Sequence, residues 1–389
     1  MKTARTPPGA GKEETTMKFT VNKTDFEKAI VPVSIIAQSK TADSTLNGIY
    51  IEAKDNELIL YCYDIEKGIK TTLEADISEP GCIIADSQIV PIVHSMPDGD
   101  IEFSSDDKNT IMLSSGDANF QIMGRDGSTY PAMPEIKGHT AFSVTKKQMK
   151  NLINKTMFSV CKDDTNPVLK GSLFSIKDNM LTVSAIDGFR FAVRREKSAV
   201  DCPDLDISFI MPGKAEQNLL RIIDDSDDEI KLELGTKHII MNMDNLYIMI
   251  RLLEGDFPNY EKFIPEYDTT AVIDRDSLIT SLERVSIVNE KMHSSAKLNF
   301  VNDILRISCE TESGKVNDCI PVHMEGEPKE VLFNQVFLIE ALRACENDKV
   351  LLRLAESGRG MVIKATDEAE TENADSYYIY LVMPIRGRQ

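Results

Sequence analysis

Residues 169–187 read LKGSLFSIKDNMLTVSAID and keep the spacing of residues 46–64, LNGIYIEAKDNELILYCYD, which lie 123 positions earlier. Between the shared positions the chemistry drifts while the spacing stays constant. This pattern indicates one structural unit that the chain uses more than once. The shared positions include Leu46 and Leu169, Gly48 and Gly171, Leu58 and Leu181, and Asp64 and Asp187.

A third and looser copy begins near Ala271, where Leu278 answers Met149 after 129 residues. Three such units agree with a length of 389 residues, since a domain takes roughly 100 to 200 residues. Proline-bearing connectors at 127–140 and 255–270 separate the units. We therefore predict domains at 17–140, 141–264 and 265–389, with 1–16 a disordered extension or a misassigned start.

Apolar periodicity predicts the same order of elements in each unit: a strand, a helix, several strands, a second helix and further strands. In the middle unit the helices are predicted over 146–160, with Phe158 off the apolar face, and over 214–223. The Asp187-Gly188 pair predicts a hairpin turn. The fold class is therefore α+β, with two helices packed on antiparallel sheets in each repeat. The other predicted helices cover 24–37, 87–96, 276–288 and 334–344.

Composition and motifs argue against several classes of function. No apolar run reaches the ~18 residues of a membrane span, and the chain shows no signal peptide, so a cytoplasmic protein is expected. The seven cysteines include no close CxxC pair. Nucleotide-binding and hydrolase motifs are also missing from the sequence. The sequence thus predicts no metal, no cofactor and no catalytic residue.

Three segments resemble those of a known family: MKFTV at 17–21, AIDGFRFA at 185–192 and YLVMPIR at 380–386. In order and spacing they resemble the bacterial DNA polymerase III beta subunit, the DNA sliding clamp, over residues 17–386. The resemblance implies three DNA-clamp domains that form half of a closed, head-to-tail dimeric ring, with sheets outside and helices lining a hole for DNA. It also implies a non-catalytic processivity factor that works in the cytoplasm at the nucleoid. The implied partners are a second copy of the chain, double-stranded DNA without sequence specificity, the replicative DNA polymerase, the clamp loader and other proteins with clamp-binding motifs, and no membrane.

The net charge of −19 is unusual for a protein that contacts DNA. Its distribution matters more, because residues 141–162 hold five lysines and no acidic residue, whereas 224–229 read DDSDDE. A solvated lysine face is one interpretation. Under the clamp resemblance these helices face the hole, where sequence-blind phosphate contacts suit sliding. The predicted DNA-facing residues are Lys40, Lys147, Lys150, Lys155, Lys162 and Lys214.

The resemblance further implies an apolar groove that accepts a short linear motif rich in Gln, Leu and Phe. Several groove positions have an alternative interpretation as core or turn residues, Val382 and Gly188 among them. The chain departs from the common family pattern at Ile186, Phe189, Lys262 and two glycines, so an altered peptide preference is expected. The implied groove residues are Leu169, Ile186, Gly188, Phe189, Arg190, Phe191, Pro258, Lys262, Phe263, Asn334, Phe337, Gly358, Gly360, Leu381, Val382, Met383, Pro384, Ile385 and Arg386.

For the dimer interface, the resemblance implies that Phe120 and Ile122 on an edge strand meet Ile287 and Val288 at a helix end of the other copy. Pairing an exposed edge removes an aggregation liability. Ordinary core positions are the alternative interpretation for all four residues. Two other functions stay open: an enzyme, for which no motif supplies convergent polar residues, and an adaptor that shares the groove but does not encircle DNA.

Overall fold

The computed structural model describes residues 17–37, 46–134, 138–163, 166–288, 295–312, 314–355, 359–366 and 375–385. Contacts along the chain group it into two compact units. The first unit takes residues 1–141 and 231–250, and the second takes 142–230 and 251–389.

The described residues contain six α-helices, and each matches a helix that the periodicity predicts. None of them is long and apolar enough to cross a membrane. They pack in pairs that follow the chain, the first with the second, the third with the fourth and the fifth with the sixth. The helices are α1 (Lys23–Ala37), α2 (Ile89–Ser95), α3 (Lys146–Asn154), α4 (Gly213–Ile222), α5 (Arg275–Ser286) and α6 (Gln335–Ala344).

Helix α3 is shorter than predicted, because the periodicity extends it to Val160 and the structure ends it at Asn154. The buried hydroxyl of Thr156 donates to the carbonyl of Leu152 at 2.8 Å. A side chain that bonds to the preceding turn competes with the helical backbone. The chain then continues as a 3-10 turn, Met157–Ser159.

Strands occupy most of the remaining described residues, and all pairs between them are antiparallel. Those before residue 127 are β1 (Met17–Asn22), β2 (Ile49–Lys54), β3 (Glu57–Tyr63), β4 (Lys67–Glu74), β5 (Asp76–Glu79), β6 (Gly81–Ala85), β7 (Asp100–Ser105), β8 (Thr110–Ser115), β9 (Ala118–Met123) and β10 (Arg125–Asp126). The middle of the chain has β11 (Thr140–Thr145), β12 (Gly171–Lys177), β13 (Met180–Ile186), β14 (Arg190–Lys197), β15 (Asp206–Pro212), β16 (Glu229–Leu234), β17 (His238–Met243) and β18 (Leu246–Arg251). The last part has β19 (Thr269–Asp274), β20 (Ser295–Val301), β21 (Ile304–Thr311), β22 (Gly314–Pro321), β23 (His323–Glu325), β24 (Lys329–Asn334), β25 (Lys349–Leu354), β26 (Met361–Ala365) and β27 (Ser376–Val382).

Two sheets build the first unit. One has the strand order β5-β1-β7-β8-β9, and the other runs β10-β6-β2-β3-β4-β18-β17-β16. Strand β18 reaches the sheet from far along the chain and pairs with β4, with Lys67 opposite Ile250. In the core, the rings of Phe19 and Phe103 stack at 4.5 Å between centroids, and Phe26 meets Phe19 edge-on.

The second unit is also built on two sheets, ordered β15-β12-β13-β14-β27-β26-β25-β19-β23 and β22-β21-β20-β24. Here the last strand, β27, pairs with β14, so that Arg190 lies opposite Val382. A large core cluster joins the sheets to α5 and α6 through fully buried side chains such as Phe300, Leu342 and Tyr380. Helices on antiparallel sheets confirm the predicted α+β class.

Glu216 on α4 is a carboxyl group with no exposed surface. The backbone N–H of Ser172 donates to its Oε1 at 3.1 Å, and the Ser172 hydroxyl lies 3.1 Å from Oε2. Burial raises the pKa of Glu216 to about 8, because these hydrogen bonds only partly replace water around the charged form.

Stability should therefore fall as pH rises from the ordinary glutamate pKa toward about 8, since the unfolded chain releases a proton that the folded chain keeps. Relative to low pH, this amounts to about 3 kcal/mol at pH 7. Glu216→Gln keeps both contacts to Ser172 and should remove this slope. Urea midpoints at pH 5, 6, 7 and 8 test it, with exposed Glu229→Gln as the matched control. Parallel pH profiles for wild type and Glu216→Gln would contradict the prediction.

Candidate functional site

The Asp187-Gly188 pair forms a hairpin turn between β13 and β14, as predicted. Gly188 has φ of +89°, a conformation that side-chain-bearing residues rarely adopt. The Asp187 carboxylate accepts hydrogen bonds from the backbone N–H groups of Phe189 at 2.9 Å and Arg190 at 3.0 Å. The N–H of Met383 donates to the carbonyl of Phe189 at 2.8 Å. The turn therefore holds the segment that follows β27.

Arg190 is buried and fully engaged by the protein itself. Its guanidinium donates to Asp187 Oδ2 at 2.9 Å, to Glu340 Oε2 at 2.5 Å and to the carbonyl of Phe158 at 2.5 Å. The ring centroids of Phe337 and Phe158 lie 4.1 and 5.4 Å from its central carbon. A planar, forked cation suits such a site. Arg190 thus ties the turn to α6 and to the 3-10 turn after α3.

A set of exposed apolar side chains lies on the Arg190 turn and on the segments that contact this turn or its neighbour Phe191. The ring of Phe189, 61% exposed, lies 6.5 Å from that of Phe337. Phe263 is 52% exposed in the 3-10 turn Tyr260–Phe263, and Met383 is 37% exposed. Exposed apolar groups in such number mark an interaction site more often than a solvated surface. We call this set the apolar rim; it comprises Phe189, Phe263, Ile264, Val336, Met383 and Ile385.

The floor beside the rim is a small, separate core cluster. Ile186, Phe191 and Leu381 are buried in it, and Leu169 packs against it. The cluster also contains Val193, Val362, Tyr377 and Ile379, with Phe257 and Tyr260 packed against it. Val193, Val362, Tyr377 and Ile379 lie on strands, where ordinary core residues have the same apolar side chains, so no signal in the sequence distinguishes them.

Several predicted groove residues have a structural role of their own. Val382 is fully buried in the large core cluster, which favours its alternative interpretation as core. The Asn334 side chain caps α6 by accepting from the N–H of Val336 at 3.0 Å. A Cβ on Gly360 would lie 2.8 Å from the Leu381 side chain, so this glycine allows Leu381 to approach closely.

The remaining predicted groove residues lie near the rim or outside the described part. Pro384 bridges to Phe333, and the N–H of Ile385 donates to the carbonyl of Leu332 at 2.7 Å. Lys262 is exposed in the same 3-10 turn as Phe263, while Pro258 is half-buried ahead of it. Gly358 and Arg386 lie outside the described residues, so their predicted role stays a prediction.

Two residues that hold the site were missed in the sequence. Glu340 lies three residues after Phe337 on α6, and residues at this spacing share a helix face. Phe158 falls off the predicted apolar face, which is the signal that it serves elsewhere. In the structure its ring meets Tyr380 edge-on at 5.5 Å, and its carbonyl accepts from Arg190.

Two lysines of α3 form ion pairs with the acidic run at 224–229. Lys146, only 4% exposed in its side chain, lies 3.4 Å from carboxylate oxygens of both Asp224 and Asp228. Lys150 pairs with Asp225 at 3.0 Å. Hydrogen bonds from Ser226, with the nearby Lys146 ammonium, lower the pKa of Asp224. The acidic run thus neutralises part of the lysine face.

Other predicted DNA-facing lysines differ in their surroundings. Lys155 lies 3.9 Å from Glu346. Lys147, Lys162 and Lys214 are exposed and make no ion pair with the residues that the structure describes. Lys40 lies outside those residues. The free positive charge of this surface therefore comes from fewer lysines than the sequence suggests.

Comparison of the chain with known protein families identifies its fold. Models of the DNA polymerase III beta subunit match the chain with its N-terminal domain at residues 17–134, its central domain at 143–259 and its C-terminal domain at 261–386. The chain belongs to the DNA polymerase III beta subunit family. The predicted resemblance is confirmed, and with it the three-domain clamp fold of helices on antiparallel sheets.

The beta sliding clamp of Staphylococcus epidermidis is 28% identical over 383 residues, covering 95% of this chain and 99% of that protein. The solved structure of a DNA polymerase III beta subunit from Eubacterium rectale is 26% identical, with a TM-score of 0.87 over 95% of this chain and all of that one. The solved structure of the Bacillus subtilis sliding clamp is 25% identical, with a TM-score of 0.87 over 96% of this chain and all of that one. The chain is a sliding clamp for DNA polymerase III, and this family is a non-catalytic processivity factor.

Peptide binding tests the apolar rim. The double variant Phe189→Ala/Met383→Ala should bind a fluorescein-labelled Gln-Leu-Ser-Leu-Phe pentapeptide more weakly than wild type. The loss in binding free energy should be at least about 2 kcal/mol, because a few apolar anchors contribute most of such binding. Arg190 is left intact, since its loss would leave Asp187 and Glu340 unpaired. Fluorescence anisotropy measures the affinity, and Met112→Ala, exposed in the first unit, is the control. Equal affinity of wild type and the double variant would remove the rim from the groove.

Salt dependence of DNA binding tests the lysine face. Lys147→Gln and Lys214→Gln should each weaken binding to a 30-base-pair duplex more than Lys150→Gln, because Asp225 already neutralises Lys150. Asp225→Asn should strengthen it. Each lost phosphate contact should lower the slope of log affinity against log salt by about 0.9. Anisotropy from 25 to 200 mM salt gives the slopes. An unchanged affinity in both the Lys147 and Lys214 variants would favour a merely solvated face.

Proposed function

We propose that two copies of the chain close head to tail into a ring that encircles duplex DNA without sequence specificity. The ring tethers the replicative DNA polymerase, the clamp loader and other proteins with clamp-binding motifs, and so confers processivity. It acts in the cytoplasm, at the nucleoid. The observation that carries the tethering role is the exposed apolar rim, whose Phe189 and Met383 are joined by a backbone hydrogen bond at the end of β27.

One sheet edge and one helix end support the dimer. Strand β9 is the outermost strand of its sheet, with Phe120 and Ile122 half-buried on it. At the end of α5, Ile287 is 82% exposed and Val288 is half-buried. An exposed isoleucine favours an interface over the core alternative, because its burial in a partner recovers hydrophobic free energy. Unlike ends joined through a twofold axis close two arcs into a ring.

Exposed lysines support the DNA-facing role. Lys147, Lys162 and Lys214 present charge without described carboxylate partners, whereas Lys150 and Lys155 are paired. Few and weak phosphate contacts suit a protein that must slide. A ring holds DNA by topology, so a net charge of −19 does not prevent its retention.

The experiment is retention on a nicked circular plasmid after loading by a clamp loader. Linearising the plasmid should release the wild-type protein, because a ring slides off a free end. Phe120→Asp with Ile287→Asp should be monomeric in light scattering and absent from the circle. Ile65→Asp, exposed in the turn between β3 and β4, is the control. Equal retention on circle and line would indicate surface binding. A double variant that still forms dimers would move the interface elsewhere.

A further inference from the structure

The turn that carries the groove in the second unit has a counterpart in the first. The N–H of Asp64 donates to the carbonyl of Lys67 at 3.0 Å, as Asp187 does to Arg190 at 3.2 Å. The Lys67 side chain also forms an ion pair with the Asp64 carboxylate at 2.5 Å. The strand that follows pairs in both units with a strand from far along the chain, β18 on β4 and β27 on β14.

A cleft of about 530 Å³ lies at this counterpart position, a size that suits a small ligand or a few peptide residues. Its floor is one row of cross-strand neighbours, because Lys70 lies opposite Tyr61 on β3 and opposite Tyr247 on β18. Met133 and Pro134 of the first connector form its wall, and Glu52 lines it as well.

The cleft differs from the second-unit groove because of identifiable residues. Gly68 stands 123 positions before Phe191, and a Cβ there would lie 2.5 Å from the sulfur of Met133. The small residue therefore lets Met133 settle over the strand. Strand pairing also places Lys70 and Tyr247 where the second unit has Val193 and Ile379. These positions are apolar in the second unit, whereas in the first unit they are occupied by a lysine with a tyrosine on each side.

Lys70 is the residue that indicates the ligand. It is half-buried between two rings, yet it makes no ion pair with the described residues, although Glu52 lines the same cleft. A partly desolvated ammonium gains from an anion that reaches it. Tyr61 donates to the carbonyl of Pro131 at 3.4 Å, and burial raises the pKa of its hydroxyl to about 12, so it adds no negative charge that would satisfy Lys70.

We propose that this cleft is a second docking site, for a peptide segment that places an apolar side chain against Tyr61, Met133 and Tyr247 and a carboxylate on Lys70. The need for a carboxylate separates it from the second-unit groove, where Asp187 and Glu340 already neutralise Arg190. The partner of the cleft is therefore a peptide segment that contains both an acidic and an apolar residue. The site stands on its own geometry and does not require the groove to bind.

Methyl NMR of the full chain, labelled with ¹³C at its methionine methyls, tests the site with two probes. These are N-acetyl-Leu-Phe-Asp-Leu-amide and the same peptide with asparagine in place of aspartate. Met133 reports on the cleft and Met383 on the groove, each resonance being assigned from its leucine variant. The aspartate peptide should shift Met133 saturably and bind it about fivefold more tightly than the asparagine peptide.

Lys70→Gln should abolish the difference between the two peptides at Met133, whereas Lys108→Gln, exposed in the same unit, should keep it. Circular dichroism checks that both variants are folded. The proposal is overturned by a Met133 resonance that moves with neither peptide, or by a preference that survives Lys70→Gln. A shift of Met383 alone would also overturn it, and would leave the groove of the proposed function intact.

Discussion

Antiparallel pairing between β14 and β27 is the contact on which the functional surface depends. It inserts a strand from the end of the described chain beside a strand nearly two hundred residues earlier, with Arg190 opposite Val382. Tyr378, Tyr380 and Val382 pack in the large core cluster, whereas the alternate residues Ile379 and Leu381 pack in the smaller one. A shift by one residue would exchange these two sets of side chains between the faces of the sheet, so the packing specifies the register. The register therefore fixes where Met383 leaves the sheet, and the bond from its N–H to Phe189 fixes its direction.

The net charge of the chain is a poor guide to the charge of any one of its surfaces. The run at 224–229 supplies much local negative charge, but it folds onto the lysines of α3. Its backbone contributes as well, since the N–H groups of Lys146 and Lys147 donate to the carbonyls of Asp228 and Ser226. The positive charge near α3 is then that of a few exposed lysines, and salt screens such exposed charges strongly.

Sequence patterns predicted helices and strands well where apolar residues repeat along a surface. They failed where a single polar group decided the outcome: Thr156 ends α3 through its hydroxyl, and no periodicity reports this. The groove positions followed from the family's motifs, but their roles did not. Arg190 is as recognisable in the sequence as Phe189, yet only the fold shows that Glu340 and Phe158 consume its donors. Pairing between distant segments is the information that the local pattern lacks.

The two copies of the aspartate turn show how one backbone supports different surfaces. The ammonium group of a lysine is a point charge, and that of Lys67 forms an ion pair with Asp64. Arginine offers a planar fork, so Arg190 satisfies Asp187 and still reaches Glu340 on α6 and the carbonyl of Phe158. Only the arginine version couples the turn to neighbouring elements and supports Phe337 on its face. The arginine version therefore supports the ring of Phe337, whereas in the first unit Lys67 is neutralised by Asp64 and the charge available to the cleft is that of Lys70.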